Sequence, residues 1–494
     1  MGKSNDQKSR HLEVERKFDV VESTVSPSFD GLSAVSRVER SPSYRLEAVY
    51  FDTADHDLAA HRITLRRRTG GPDAGWHLKL PAGPDARTEV RQPLGETDEV
   101  PDELRDIVLA IVRDRPLAPV ARITTDRTVD MLYSADGTAI AEFCDDQVTA
   151  AADPEDPEQA WREWELELVE GGGGDRDLLD RLSNRLLDAG AVPAASGSKL
   201  ARVLAETSAP DEGTEPLDPM HRAVAEQVEA LIEWDRAVRA DVWDSVHQMR
   251  VTTRKIRSLL QSAREAFGIS DDAWILDELR QLAAILGVAR DAEVLAERYE
   301  RALDELPAEL VRGQVRERLV DGAKRRYASG LRRSLIAMRT ERYFRLLDAL
   351  EGLVAAAPTG PGDQERAPAS IDSAYKRVRK AAKAAAAAGA DDDKDEALHR
   401  IRKGAKRLRY TAAATGKDKV SDRAKTIQSL LGDHQDSVVS RTHLSHQAEA
   451  AHAAGEDTFT YGLLYRMEDD LAQRSREQLD DALRKLHKAV RKER

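Results

Sequence analysis

Glu13, Glu15 and Lys17 in HLEVERKF are spaced two residues apart. On a strand such positions share a face, so two carboxylates and an ammonium would line one side. Leu12, Val14 and Phe18 would help cover the other. Neighbouring carboxylates repel unless a cation lies between them, and a divalent metal is their natural companion. A solvated edge strand would alternate in the same way, so this segment alone decides nothing. Four further segments repeat the rule: Arg66 with Arg68, His77 with Lys79, Arg87 with Glu89 and Arg91, and Glu163 with Glu165 and Glu167. Together they predict a closed sheet with a polar interior to which each strand adds one charged row. Cationic rows suit phosphate oxygens, with Arg favoured for forked contacts. Carboxylate rows suit Mg²⁺ or Mn²⁺. The combination fits phosphoryl transfer, where positioning and charge stabilisation carry most of the catalysis.

The elements holding these rows read as strands. Short alternating segments recur through residues 11–205: HLEVERKF, RLEAVYFDT, RITLRRRT, WHLKLP, TEVRQPL, TAIAEF and WREWELELVE. TGGPDAG, PAGPDA and SADGT separate some of them as hairpin turns. After GGGG at 171–174, DRDLLDRLSNRLLDAG reads as a helix stopping at Gly190.

The opening Glu-x-Glu-x-Lys, followed by LRRR, WHLKLP, ELELVEG and GSKLAR, resembles the CYTH domains of triphosphate tunnel metalloenzymes over residues 9–206. The resemblance implies an eight-stranded antiparallel barrel forming a tunnel, and metal-dependent hydrolysis of triphosphate-containing substrates. It gives Glu13, Glu15 and Lys17 the catalytic positions, and Glu13, Glu15, Glu165 and Glu167 the metal. Lys17, Arg66, Arg68, Lys79, Arg91, Arg122, Arg127 and Lys199 become the cations that bind the phosphate chain. Around Arg122, Arg127, Glu142 and Asp145 the sequence leaves the strand register open.

The stretch 206–219, rich in Pro, Gly and acids, reads as an interdomain linker centred on 207–216. Beyond it, apolar residues recur at helical spacing, as in LDELRQLAAIL and YFRLLDALEGLV. A second breaker at 357–370 divides this half into repeats of about 217–356 and 370–492. HQMRVTTRKIR is matched by HRIRKGAKRLRY, and LAAILGVARD by IQSLLGDHQD, in the same order, which points to an internal duplication. His247, Arg250, Arg254 and Arg257 fall on one helix face, and His399, Arg402, Lys406 and Arg409 repeat that stripe. Lys376 and Arg379, with Lys380 and Lys383, form a third stripe that a solvated helix face would explain equally well. These segments resemble a CHAD domain, a conserved-histidine α-helical domain, over residues 217–492. That resemblance implies two pseudo-symmetric helical bundles with a basic groove or pore, binding inorganic polyphosphate through the His-led stripes together with Lys376 and Arg379.

Composition bounds the rest. The net charge of −13 is uneven: the first 210 residues carry 26 Lys+Arg against 40 Asp+Glu, leaving 50 and 49 for the remainder. An anion site in the helical half must therefore come from local clustering. Aromatic residues are 5% of the chain, which argues against base stacking and sequence-read nucleic acid. One cysteine, Cys144, favours a reducing, cytoplasmic setting, and residues 1–8 read as a disordered polar start. No long apolar run points to a membrane. The expected protein is a two-domain α+β chain: a Mg²⁺- or Mn²⁺-dependent inorganic triphosphatase barrel followed by a polyphosphate-binding helical domain, with association to polyphosphate granules as a further expectation. A non-catalytic polyphosphate scaffold remains open, as do adenylyl cyclase and thiamine triphosphatase activities.

Overall fold

The computed structural model describes residues 10–152, 157–169, 171, 175–205, 219–262, 264, 267–270, 273–356, 371–387, 391–414 and 416–493. The expected disordered start, linker and second breaker lie outside these residues. In chain order the elements are β1 (Arg10–Val20), β2 (Arg37–Arg40), β3 (Tyr44–Asp52), α1 (Asp57–Ala60), β4 (Thr64–Thr69), β5 (Gly75–Pro81), β6 (Ala86–Gln92), α2 (Asp102–Ile107), α3 (Leu109–Val112), β7 (Ala118–Tyr133), β8 (Ala139–Ala151), β9 (Gln159–Leu168), α4 (Arg176–Asp188), β10 (Val192–Pro193) and α5 (Lys199–Ala205). The helices α6 (Pro219–Arg239), α7 (Ser245–Ser262), α8 (Trp274–Asp304), α9 (Gly322–Ala337), α10 (Glu341–Ala355), α11 (Ile371–Ala387), α12 (Asp391–Ala414), α13 (Asp418–Ala453) and α14 (Phe459–Lys492) follow. The chain forms two compact units, Met1–Leu259 with Leu335–Ala356, and Leu260–Ser334 with Ala357–Arg494.

In the first unit eight strands close an antiparallel ring in the order β1–β6–β5–β4–β3–β7–β8–β9, and β9 pairs back onto β1. The short β10 adds to β1, and β2 to β7. This is the barrel expected from the alternating rows. The longest strand, β7, is absent from the segments singled out above. Thr125 and Arg127 face inward while Thr124 and Asp126 face outward, so no period-two apolar pattern marks it.

Both faces of the sheet are covered, differently at different places. Outside, α4 lays Leu178, Leu182 and Leu186 on Phe18, Phe143, Trp164 and Leu166. The Asp175 side chain caps it by accepting from Leu178 N at 2.9 Å, and Gly190 ends it with φ +99°. Inside, α5 sends Leu200, Val203 and Leu204 against Tyr50, Ala121, Ile123 and Val148. Tyr50 and Ile123 also line the barrel cavity, so α5 fills one end of the ring and leaves the other polar.

The first unit continues into the helices. Arg239 on α6 is buried; its guanidinium pairs with Asp235 (2.5 Å) and Asp106 on α2 (3.0 Å) and donates to Met338 O (2.9 Å). The Tyr343 hydroxyl on α10 donates to Asp235 at 2.8 Å. Arg113, just after α3 and also buried, pairs with Asp348 and Glu351 of α10.

In the second unit α11, α12, α13 and α14 bury Val378, Leu408, Ile427 and Leu486 in a common core. Tyr299 and Leu303 of α8 pack with Leu444 and Leu464 of α13 and α14. Arg298 pairs with Glu468 across this interface, and Ser437 and Ser440 accept or donate within the same polar seam. No helix among the described residues is long and apolar enough to cross a membrane.

Removing one partner of a buried ion pair strands the other, at a cost of roughly 3–5 kcal/mol. Arg239→Met leaves the fully buried Asp235 with only the Tyr343 hydroxyl. A scanning calorimetry endotherm lowered by several degrees is expected; an unchanged one would mean that Asp235 is neutral and its pair irrelevant.

Candidate active site in the barrel

The interior charges fall into cross-strand rows fixed by register. Glu15 on β1 lies opposite Glu167 on β9, which lies opposite Glu142 on β8. One step along, Lys17 faces Glu165, and Glu165 faces Cys144. One step further, Glu163 faces Asp146, and Asp146 faces Arg127 on β7. On the opposite wall Glu89 faces Lys79, and Arg66 lies between Tyr50 and His77.

These rows surround a cavity of about 250 Å³. Of the residues expected to act, Glu15, Lys17, Arg66, Arg68, Lys79, Arg91, Arg127, Glu165, Glu167 and Lys199 line it. Glu13, almost fully buried, sits beside it with Oε2 2.5 Å from Lys79 Nζ. Arg122 is a correction. It is exposed on the outer face of β7, because Ile123, Thr125 and Arg127 take the inward positions of that strand. Asp145 also lies off the lining, bound by Arg162 at 2.6 Å, while Glu142 lines the cavity. A larger cavity of about 1090 Å³ shares Glu15, Lys17, Thr64, Arg87 and Ser198 with the first and reaches α4 and the β5–β6 turn.

The rows differ in how their charges are balanced. Glu165 accepts from Lys17, from Lys199 at 2.7 Å and from Arg127 at 2.5 Å. Burial opposes its ionisation, but these three cations outweigh it and hold the carboxyl well below its usual range. Lys199 also lies 2.9 Å from Asp146 and 2.7 Å from Glu163, so a protein ammonium occupies the centre of that acidic cluster. Burial likewise opposes ionisation of Glu15, yet Lys17 and Lys79 bring its carboxyl down to about 2. Glu167 is the contrast, with no ion pair or hydrogen bond among the described residues. Burial first, then the nearby Glu13, Glu15 and Glu142, push its carboxyl up to about 8 against the offset of Lys79.

This crowding fits a divalent cation. The row Glu15–Glu167–Glu142, with Glu13 alongside, offers only oxygen donors, as Mg²⁺ and Mn²⁺ prefer, and a bound cation would offset the burial and the repulsion that together raise the Glu167 carboxyl. Of the four carboxylates expected to hold metal, only Glu167 lacks an ion pair among the described residues; Glu15 pairs with Lys17 at 3.0 Å and Glu13 with Lys79 at 2.5 Å, so a cation there would share those two with the lysines, whereas three protein cations balance Glu165. The groups whose ligand atoms lie within 4.8 Å of one another among the described residues are the lysine-centred Asp146, Glu163 and Glu165, and His11, Glu13 and Glu89. There hydrogen bonds to Glu13 and Glu89 raise the His11 imidazole to about 9, so it acts as a further cation.

Glu89, Asp146 and Glu163 are the residues that sequence reasoning passed over as site members. Glu89 and Glu163 showed themselves only as inward positions of their rows, and Asp146 lay where the register was open. Their role is to hold the cations in place: Arg127 makes a forked pair with Asp146 at 2.7 and 2.6 Å, and Arg91 pairs with Glu89.

The His-led stripes lie on the expected helices, α7 in the first unit and α12 in the second. On α7, Val246, Met249 and Ile256 face the core while Arg254 is exposed and His247, Arg250 and Arg257 are half-buried. On α12, His399 is exposed, and Arg402, Lys406 and Arg409 are half-buried. Gly432 on α13 lies beside the Arg402 guanidinium. Lys376 and Arg379 on α11 are exposed.

The raised carboxyl makes a test. Between its unfolded value of 4.5 and about 8, folded Glu167 keeps a proton that the unfolded chain has lost. Metal-free stability should therefore fall as pH rises through that window. Glu167→Gln should flatten the decline in melting temperature; an equally steep decline would place the charge elsewhere.

The chain is similar to several known proteins and domains. Residues 11–174 match the CYTH domain model and 222–445 the CHAD domain model. Uncharacterized proteins from two Mycobacterium tuberculosis strains are each 67% identical, over 98% of this chain and 98% of their own length. Among solved structures, the CHAD domain of the plant Ricinus communis is 22% identical over 54% of this chain and 90% of that one, with a TM-score of 0.42. PptA from Streptomyces chartreusis is 18% identical over 54% and 98%, with a TM-score of 0.43. HpAC1 from Hippeastrum, reported with a dominant triphosphatase activity, is 15% identical over 41% and 99%, with a TM-score of 0.24. The chain belongs to the family that joins a CYTH domain, with its triphosphate-tunnel fold, to a CHAD domain.

Proposed function

We propose that this chain is a divalent-metal-dependent inorganic triphosphatase whose helical domain binds longer polyphosphate. The observation that carries the reading is the carboxylate row Glu15–Glu167–Glu142 facing basic residues across one small cavity. Glu13, Glu15 and Glu167 would hold Mg²⁺ or Mn²⁺, which would lower the pKa of water and offset charge on the phosphoryl oxygens. Arg66, hydrogen-bonded among the described residues only to Tyr50 at 3.3 Å, and Arg68 offer forked contacts to phosphate oxygens. Lys17, Lys79 and Lys199 supply point charges held in place by Glu15, Glu13 and Glu163. Arg127 reaches the chain from its anchor on Asp146. Water attacks a terminal phosphorus and gives up its proton to solvent, the bond from that phosphorus to the bridging oxygen breaks, and pyrophosphate leaves with the electron pair, so that orthophosphate and pyrophosphate are the products. The three-phosphate length suits a cavity of about 250 Å³. A chain with one cysteine suits the reducing cytoplasm as the place of action.

Purified full-length protein offered tripolyphosphate, long-chain polyphosphate, ATP and thiamine triphosphate, each with Mg²⁺, Mn²⁺ or EDTA, tests the substrate. Preferred turnover of tripolyphosphate with metal is expected; preferred pyrophosphate release from ATP would instead favour cyclisation. Glu13→Gln or Glu15→Gln should lower turnover by about 100-fold or more, as loss of a preorganised charge typically does, with circular dichroism unchanged. Turnover at the wild-type rate in both variants would remove these residues from the site.

The stripes on α7 and α12 would take the longer chain. Alanine at Arg250, Arg254, Arg402 and Lys406 together should weaken long-chain polyphosphate binding by the full chain and make it less salt-dependent, because fewer bound counterions are released. Tripolyphosphate turnover should stay as it was. Unchanged affinity at two salt concentrations would leave the stripes as solvated faces.

A further inference from the structure

The turn between β4 and β5 is pressed onto the barrel. Gly70 and Gly71 have φ of +76° and +72°. A Cβ at Gly70 would lie 2.2 Å from Arg45 O, and one at Gly71 2.6 Å from Leu46 Cδ2, so this path requires glycine. It brings Pro72 and Asp73 onto the lining of the small cavity. There the Asp73 carboxylate forms an ion pair with Arg68. Asp73 reaches in from the solvent side: its side chain is 30% exposed, that of Arg68 6%. His77 holds the turn independently, with Nε2 3.0 Å from Asp73 O and Nδ1 2.8 Å from Glu89. The backbone is therefore pinned while the carboxylate can leave by side-chain rotation.

Arg68 needs an anion. Burial, then the neighbouring Arg66 and Arg127, lower its guanidinium to about 9. Arg127 has Asp146 and Glu165 as partners, but the only carboxylate paired with Arg68 among the described residues comes from the turn. A phosphate oxygen entering the cavity would make the same forked contact.

We propose that Asp73 is a built-in competitor for phosphate, occupying Arg68 in the free protein and displaced by an incoming phosphoryl group. This rests on the reading of the cavity as a phosphate-chain site. The contact keeps Arg68 aligned while the cavity is free, and the same carboxylate favours release of product by reclaiming the guanidinium. Asp73 thus trades affinity for turnover.

The test compares wild type, Asp73→Asn, Asp73→Ala and Asp98→Asn. The last removes an exposed negative charge paired with Arg67 on the outer face. In tripolyphosphate hydrolysis, both Asp73 variants should lower KM by about fivefold, the scale of one partly exposed ion pair, without raising kcat. Asp98→Asn should match wild type. An unchanged or higher KM in both Asp73 variants would overturn the proposal, as would an equal fall in Asp98→Asn, which would reduce the effect to net charge. If wild type shows no turnover, the triphosphatase reading fails by itself, and calorimetric titration with tripolyphosphate decides the competitor. Tighter binding by the Asp73 variants supports it, and equal or absent binding overturns it.

Discussion

The barrel depends on the neutralisation of charges of both signs enclosed within one ring of strands. Buried charge is tolerated only when paired and hydrogen-bonded, and register decides the pairing here. Lys17 opposite Glu165 and Asp146 opposite Arg127 place opposite charges side by side, and the Lys199 ammonium bridges the like pair Glu163 and Asp146. The row Glu15–Glu167–Glu142 breaks the pattern, setting like charges across neighbouring strands where they repel. Paired rows give rigidity, and a row left short of cations at Glu167 would gain from a bound cation. A phosphate chain brings further negative charge, which suits the arginine side of the cavity.

The remaining elements serve that interior. α4 covers the outer face of β9 and β1 with leucine, so that those strands can give their inner face to charge. α5 fills the apolar end and carries Lys199 into the cluster of Asp146, Glu163 and Glu165, anchoring the plug electrostatically as well as by packing. The same logic extends to the helices, where Arg239 and Arg113 are buried among carboxylates of α2, α6 and α10. The α7 stripe residues thus belong to the same compact unit as the barrel.

Much of this was legible in the sequence because strand alternation is a simple code. Inward positions of β1, β4, β5, β6 and β9 follow directly from period two, and α4 from its cap and terminal glycine. What the code hid was register between strands. It could not say that Glu165 meets Lys17 and Lys199 while Glu167 meets only carboxylates, although the two sit two residues apart. β7 escaped because polar residues occupy both its faces, and Arg122 was placed inside for the same reason. Asp73 was read as part of a turn signal, and nothing local to TGGPDAG tells that its carboxylate reaches Arg68. The paired motifs that suggested a duplication all lie within helices, as their spacing predicted.

The central claim is that the unbalanced row, and not the lysine-centred cluster, holds the divalent ion. Mn²⁺ binding followed by electron paramagnetic resonance, on full-length wild type, Glu15→Gln/Glu167→Gln and Asp146→Asn, addresses it directly. Tightly bound Mn²⁺ that is lost in the double variant but retained in Asp146→Asn is the predicted result. Retention in the double variant, or loss in Asp146→Asn alone, would contradict the account.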